Sequence, residues 1–436
     1  MSSELIGWMG MGAMVLLLLL RVPVAFVLAG IGFLGYAAVS GIEPALMVAG
    51  MVPYSTVAAY TWTVLPLFIL MGHFASQAGF IGDLFQAGRL WLGRIPGGVV
   101  HATIAAGAAF GAASGSGIAA TTVLARICVP EMRKAGVEKK LACGCVASVG
   151  PIAQMIPPSI LMVMYGMITE TSIGKLLIAG IFPGLLMALS FMVSVYVRVK
   201  LNPSLVLQTK EKISWKERFS SLRGIWGVGS LAFLIMGGIY TGLFTPTEAG
   251  GVGAFGAFVL ALGLRKLSLH NIYESLTGTA RTTGMIFLIV AGASMFGYFL
   301  NITGIPSRLA DFITALPVSS MVILIGVMIL YLFLGCFIEM SACMFITLPI
   351  LFPAMVKLGI DPIWFGVLII MQSELAPITP PFGITLFVVK SVVEDIDLTD
   401  IIRGVMPFIL VDLIVLAMLL AFPQISLFLP QMMSGK

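Results

Sequence analysis

Charge is what this chain most lacks: Asp, Glu, Lys and Arg make up 10% of its 436 residues, against 59% hydrophobic residues and a mean hydropathy of +1.09. Soluble domains carry roughly 25% charged residues, so a water-soluble fold is excluded and a polytopic membrane protein is indicated. Cysteine is scarce as well. Cys128, Cys143, Cys145, Cys336 and Cys343 lie in or beside apolar runs and are odd in number, which argues against a disulfide framework. Cys143 and Cys145 have no second cysteine pair and His73, His101 and His270 are scattered, so no thiolate or imidazole metal clip is expected. Neither a Ser with His nor two Asp residues at membrane depth are found, which speaks against an intramembrane enzyme. A phosphate-binding loop and soluble domains are also missing, leaving an ion gradient as the energy source.

What is abundant is apolar sequence in stretches of about 17 to 25 residues, the length a helix needs to satisfy its own backbone across a hydrocarbon core. Alternating ten-residue segments, the mark of a membrane barrel, are not evident. The first run, "LIGWMGMGAMVLLLLL", has no basic n-region and meets "RVPVAF" rather than a small-residue cleavage site, so it reads as a retained span. The net charge of +5 sits in short connections, which points to topology rather than to a nucleic-acid partner. The longest polar connection, residues 198–224, carries Arg198, Lys200, Lys210, Lys212, Lys216, Arg218 and Arg223 and is expected to be cytoplasmic.

That connection separates two halves, 1–197 and 225–436. "IPPSILM" breaks an apolar run near its middle, because adjacent prolines remove two backbone donors, and "TPPFGITLF" does so again. Pro157-Pro158 and Pro380-Pro381 are 223 residues apart, as are Pro130 and Pro353, so the chain is a tandem repeat. Each half is expected to hold an apolar hairpin, at 97–130 and 319–353, and a broken helix, at 141–169 and 360–390. About 30 residues are too few for two full spans and a turn, which favours re-entrant hairpins. Five full spans per half then make the repeat inverted, with both termini away from the cytoplasm. Arg21, Arg89, Arg94, Arg133, Lys134, Lys139, Lys140, Arg265, Lys266, Arg281, Lys390 and Arg403 fall on one side of that topology, and Arg308 and Lys357 on the other.

The hairpin tips and breaks are the candidate sites. Ser114, Gly115, Ser116 and Gly117 offer two hydroxyls and backbone that a cation can approach, alongside Pro157, Pro158 and Ser159. Close packing of small residues between helices is the alternative reading of that tip. In the second half, Glu339 is expected near Ser341 and Thr347, opposite Thr379, Pro380 and Pro381. Glu339 could coordinate a cation, bind a proton or lock the hairpin, and Glu374 raises the same question. A half-helix starting at each break presents its positive N-terminal end, suited to an anion held together with sodium. Ser116, Thr121, Ser159, Ser341 and Thr379 are the candidate solute contacts.

At these residues the chain resembles the large membrane subunit, DctM type, of tripartite ATP-independent periplasmic (TRAP) transporters. The resemblance is carried by "RVPVAF", "GRIPGG", "GAASGSGIAATTVLARICVPEM", "IPPSILMVMYG", "GLFTPTEAG" and "LPILFPAMVKLGIDPIWFGVLIIMQSELAPITPPFG" in order. It implies an all-α, elevator-type secondary importer of organic acids in a bacterial inner membrane, with sodium as coupling ion. It also implies two partners: a small four-helix subunit of DctQ type and a periplasmic solute-binding protein. One sodium site would lie at Ser114–Gly117 and Gly150–Ser159, the other at Gly335–Ser341 and Thr379–Gly383, with solute between the tips. The chain departs from the family pattern at Gly150-Pro151-Ile152-Ala153, at Glu374-Leu375-Ala376-Pro377, and at Glu339, where Asp is common. A stand-alone ion-coupled carboxylate carrier of the same architecture is the alternative.

Overall fold

A computed structural model of the chain describes residues 2–20, 22–206 and 214–434; Arg21, Lys210 and Lys212 lie outside them. The described residues are helical almost throughout. The first half comprises α1 (Ser3–Leu19), α2 (Val24–Ser40), α3 (Ile42–Val57), α4 (Val64–Gln77), α5 (Phe80–Leu92), α6 (Gly98–Ser114), α7 (Gly117–Lys134), α8 (Lys139–Ile152), α9 (Ile160–Thr169), α10 (Ile173–Ala179) and α11 (Ile181–Leu201). The second comprises α12 (Trp215–Thr241), α13 (Pro246–Gly263), α14 (Leu269–Thr303), α15 (Ile305–Ala315), α16 (Ser320–Phe337), α17 (Met340–Lys357), α18 (Pro362–Leu375), α19 (Ile384–Val392), α20 (Leu398–Ala421) and α21 (Gln424–Ser434).

The repeat is visible in helix ends. Helices α6, α7, α8 and α9 finish at Ser114, Lys134, Ile152 and Thr169, and α16 to α19 finish at Phe337, Lys357, Leu375 and Val392, each 223 residues later. One difference separates the halves: α14 runs 35 residues without interruption where α3 and the α4 segment form a pair bent by 52°. Six helical segments among the described residues are long and apolar enough to cross a membrane: 173–201, 224–241, 269–303, 320–337, 340–357 and 398–421.

Local signals explain several boundaries. Thr245 caps α13 in a reciprocal box with Glu248, with Pro246 in the first turn, which accounts for "FTPTE". Asp361 caps α18 by accepting from the N–H groups of Ile363 and Trp364. Both hairpins are longer than the sequence suggested. Pro130 and Pro353 stand inside α7 and α17, one turn before the ends at Lys134 and Lys357, and α17 also continues through Pro349. Each arm is thus 17 or 18 residues, about 26 Å, so a shortage of chain is not what turns the hairpin. The polar connection is shorter than 198–224: α11 continues to Leu201 and α12 opens at Trp215 behind the Ser214–Glu217 capping box.

Two packing groups emerge. Helix α2 crosses α14 where Gly32 and Gly292 bring backbones together; a Cβ on Gly32 would lie 2.6 Å from the Phe296 nitrogen. Helix α4 lies on α13 beside them. In the other group α7 and α20 pack on α8, and α16, α9 and α20 pack on α18. Leu141 to Ile152 of α8 and Trp364 to Leu375 of α18 are buried without exception, as expected for helices apolar all round. The broken helices therefore sit at the centre.

Candidate functional site

The first hairpin turns at Gly115, whose φ of +61° needs a residue without a Cβ. A Cβ there would stand 2.8 Å from the carbonyl oxygen of Pro158, so the tip touches the first break. Next to it, a Cβ on Gly117 would lie 2.6 Å from the end of the Gln154 side-chain amide, and one on Gly111 2.7 Å from the Ala153 Cα. The break itself, between α8 and Ser159, contains the cis Pro157-Pro158 bond. Its carbonyls from Ala153 to Pro158 accept no backbone hydrogen bond from described residues. Ser159 is fully buried and caps α9, accepting from Met162 N–H at 3.3 Å. Thr121 donates to the Gly117 carbonyl at 2.8 Å and packs its hydroxyl on Gly150. Ser116 caps α7 with no side-chain bond, and Ser114 has a buried hydroxyl with no hydrogen-bond partner.

The second site repeats this plan with different chemistry. A Cβ on Gly335 would lie 2.7 Å from Ala376, joining hairpin two to its break. Carbonyls from Thr379 to Phe382 accept no backbone bond from described residues. Thr379 donates to Leu375 O at 2.7 Å and Thr385 to Pro377 O at 2.8 Å, so both hydroxyls hold the bend together. Gly383, at φ +45°, starts α19. Glu339 caps α17, and Ser341 donates to its carboxylate. At the 223-residue offset, Glu339 replaces Ser116, while Phe337 and Phe382 replace Ser114 and Ser159. The two rings pack with centroids 4.9 Å apart, and Phe333 extends the row at 5.1 Å. Pro381 is exposed and Pro380 half-buried, in contrast to the buried first proline pair.

Both sites border one cavity of about 20 Å³, lined among others by Gly117, Gln154, Gly335, Glu339, Ser373 and Thr385. That is room for roughly one water molecule or ion. The N-termini of α7, α17 and α19 converge there, turning their positive dipole ends inward. Ser114, Ser159, Thr121 and Ser341 do not line it. The residue that sequence reasoning missed is Gln154. With its amide matched donor to acceptor, it donates to Ser373 Oγ at 2.6 Å and accepts from Gly117 N–H at 3.3 Å, tying hairpin one to the second broken helix. Its one signal was a polar amide inside a break.

Two carboxyls are unexplained by this cavity. Glu374 and Asp412 are 2% and 1% exposed, accept no hydrogen bond from described residues, and lie within electrostatic reach of each other. A buried charge left without a partner costs several kcal/mol. The amide variants Glu374→Gln and Asp412→Asn are therefore expected to match or exceed the parent in thermal unfolding, within about 1 kcal/mol. A loss above about 3 kcal/mol in either would show that the carboxyl holds a partner.

Residues 11–425 match one family model, the tripartite ATP-independent periplasmic transporter, DctM component. The chain belongs to this family. It is 37% identical over 381 residues to the C4-dicarboxylate TRAP transporter large permease protein DctM of Pseudomonas aeruginosa, covering 86% of this chain and 88% of that protein. It is 33% identical over 443 residues to the sialic acid TRAP transporter large permease protein SiaM of Vibrio cholerae, covering 100% and 99%. The ectoine/5-hydroxyectoine large permease UehC of Ruegeria pomeroyi is 32% identical, over 97% of this chain and 98% of its own. Among solved structures, the YdaH transporter of Alcanivorax borkumensis (TM-score 0.59, 15% identity, 87% and 89% coverage) shares the fold. So does MtrF of Neisseria gonorrhoeae (0.61, 15%, 89% and 85%). This DctM-family chain is thus a multi-pass membrane transport permease and not an enzyme.

Proposed function

We propose that the chain is the transport subunit of a sodium-coupled importer of a small organic acid in a bacterial inner membrane, taking solute from a periplasmic binding protein. The observation that carries this reading is the meeting of each hairpin tip with a helix break whose carbonyls lack backbone donors. Carbonyl and hydroxyl oxygens are the donor set a hard monovalent cation takes, and the orphaned Ser114 hydroxyl fits it. The first ion would be held by Ser114 and the Pro158 region, the second by Glu339 and the carbonyls of Thr379 to Phe382. A bound cation there would supply positive charge beside an anionic solute. The chain's own part is to bring three helix N-termini to the same place and to exclude water from it.

A cavity of about 20 Å³ does not admit an organic acid, so solute entry requires the tips to part. In the elevator reading, the group built on α8 and α18 slides against the group built on α2 and α14, and both termini face the periplasm. A small DctQ-type partner belongs to this reading. In its support, the match to the isethionate TRAP transporter permease protein DctMQ of Oleidesulfovibrio alaskensis covers 96% of this chain but 65% of that one. The relatives' names cite several solutes, so the class is assigned here and not the compound.

The test is thermal unfolding of the purified protein in sodium against equal potassium or choline. A ligand at a hundred times its Kd stabilises by about 2.7 kcal/mol, so a sodium-specific rise in Tm is expected. It should shrink in Ser114→Ala and Ser116→Ala for the first site and in Thr379→Ala for the second. Equal Tm values in all three salts would remove sodium from the reading.

A further inference from the structure

Helices α7 and α19 border more than the central cavity. Beyond it, between the same two helices, opens a cleft of about 760 Å³ lined by Arg126 and Arg133 of α7 and by Val392, Glu394 and Asp395 at the end of α19. Gly117 and Ile118 of α7 and Ile384 and Thr385 of α19 line the inner cavity, so one helical seam joins both spaces. The rise along α7 from Gly117 to Arg126 is about 13 Å, and from Arg126 to Arg133 a further 10 Å or so.

The outer rim of the cleft is neutralised. Arg133 and Lys139 both bind the Asp395 carboxylate, at 2.9 and 2.8 Å, and Lys134 binds Glu131 at 2.7 Å. The Lys139 hydrogen bond, aided by the charge of Arg133, holds the Asp395 carboxyl below its ordinary range. Glu394 shares this rim level. Arg126, two helical turns deeper, is exposed and enters no ion pair among the described residues. An unpaired guanidinium at depth is costly unless it faces water, and its fork suits a carboxylate.

We propose that the α7–α19 cleft is the cytoplasm-facing vestibule of the central cavity and that Arg126 makes it select anions, receiving the carboxylate of the departing solute. The assignment rests on the transport reading above, but its test does not depend on knowing the solute. Val392→Cys places a thiol on the cleft wall of the complex in inside-out vesicles, the five native cysteines being buried. Its reaction rates with sulfonatoethyl and trimethylammonioethyl methanethiosulfonate probe the local field. The anionic reagent should react faster by roughly fivefold, a nearby unit charge acting oppositely on the two reagents. Arg126→Gln should erase that preference and Arg126→Lys should keep it. An unreactive thiol, equal rates, or a preference that survives in Arg126→Gln would overturn the proposal. The sodium-dependent Tm rise should be unchanged in Arg126→Gln, so failure of the vestibule and failure of the transport reading are told apart.

Discussion

Gly404→Val is expected to leave no monodisperse folded protein on size-exclusion chromatography, whereas Gly30→Val leaves the profile unchanged. Gly404 and Gly144 face each other where α20 crosses α8, and a Cβ on Gly404 would overlap the Lys140 carbonyl and lie 3.2 Å from the Gly144 Cα. The obstructing atoms are backbone on both sides, so no rotamer change can relieve the clash. Overpacking in a core that can adjust costs about 1–3 kcal/mol. With rigid helices and the fully buried α8 behind them, the cost should exceed about 4 kcal/mol, the range in which single substitutions unfold proteins. Gly30 has nothing within 4 Å of a Cβ and serves as the control. Normal elution of Gly404→Val would mean that α8 and α20 are not in backbone contact.

On the sodium-coupled reading proposed above, Gly115→Val should abolish uptake and shrink the sodium-dependent rise in Tm to the share of the second site, while the protein still folds. A β-branched residue at φ +61° costs at least about 1–2 kcal/mol, and its Cβ would also press on the Pro158 carbonyl. The tip can relieve both by lifting off the break, which leaves the helices in place and dismantles the first site. Gly115→Ala, with the same clash but less bulk, should lose less. Undiminished sodium stabilisation in the valine variant would place the first ion elsewhere.

The repeat was readable because proline acts locally. Two donors lost at Pro157-Pro158 and again at Pro380-Pro381 stop a helix whatever surrounds them, and the helix ends follow the same 223-residue offset. Proline was misleading where a helix carries on through it: Pro130 and Pro353, like Pro349, stand inside helices that give up a backbone bond and continue. Gln154 could not be assigned from sequence, because its partners Gly117 and Ser373 belong to different halves and meet through tertiary packing alone. The Phe337–Phe382 pair was hidden likewise, since each aromatic on its own reads as lipid-facing bulk.

That pair makes the two halves unequal in how they wet. At the seam bearing Ser114 and Ser159, water entering on opening can hydrogen-bond the Ser114 hydroxyl, which has no partner when the tip is closed on the break. At the seam bearing Phe337 and Phe382, both rings are already about half exposed, and parting them uncovers only their contact face, at about 25 cal/mol per Å². A duplicated machine with two identical seams would have no preferred order of hydration. Here one seam is polar and the other aromatic, so in the ion-coupled cycle proposed above water would enter at the first before the second.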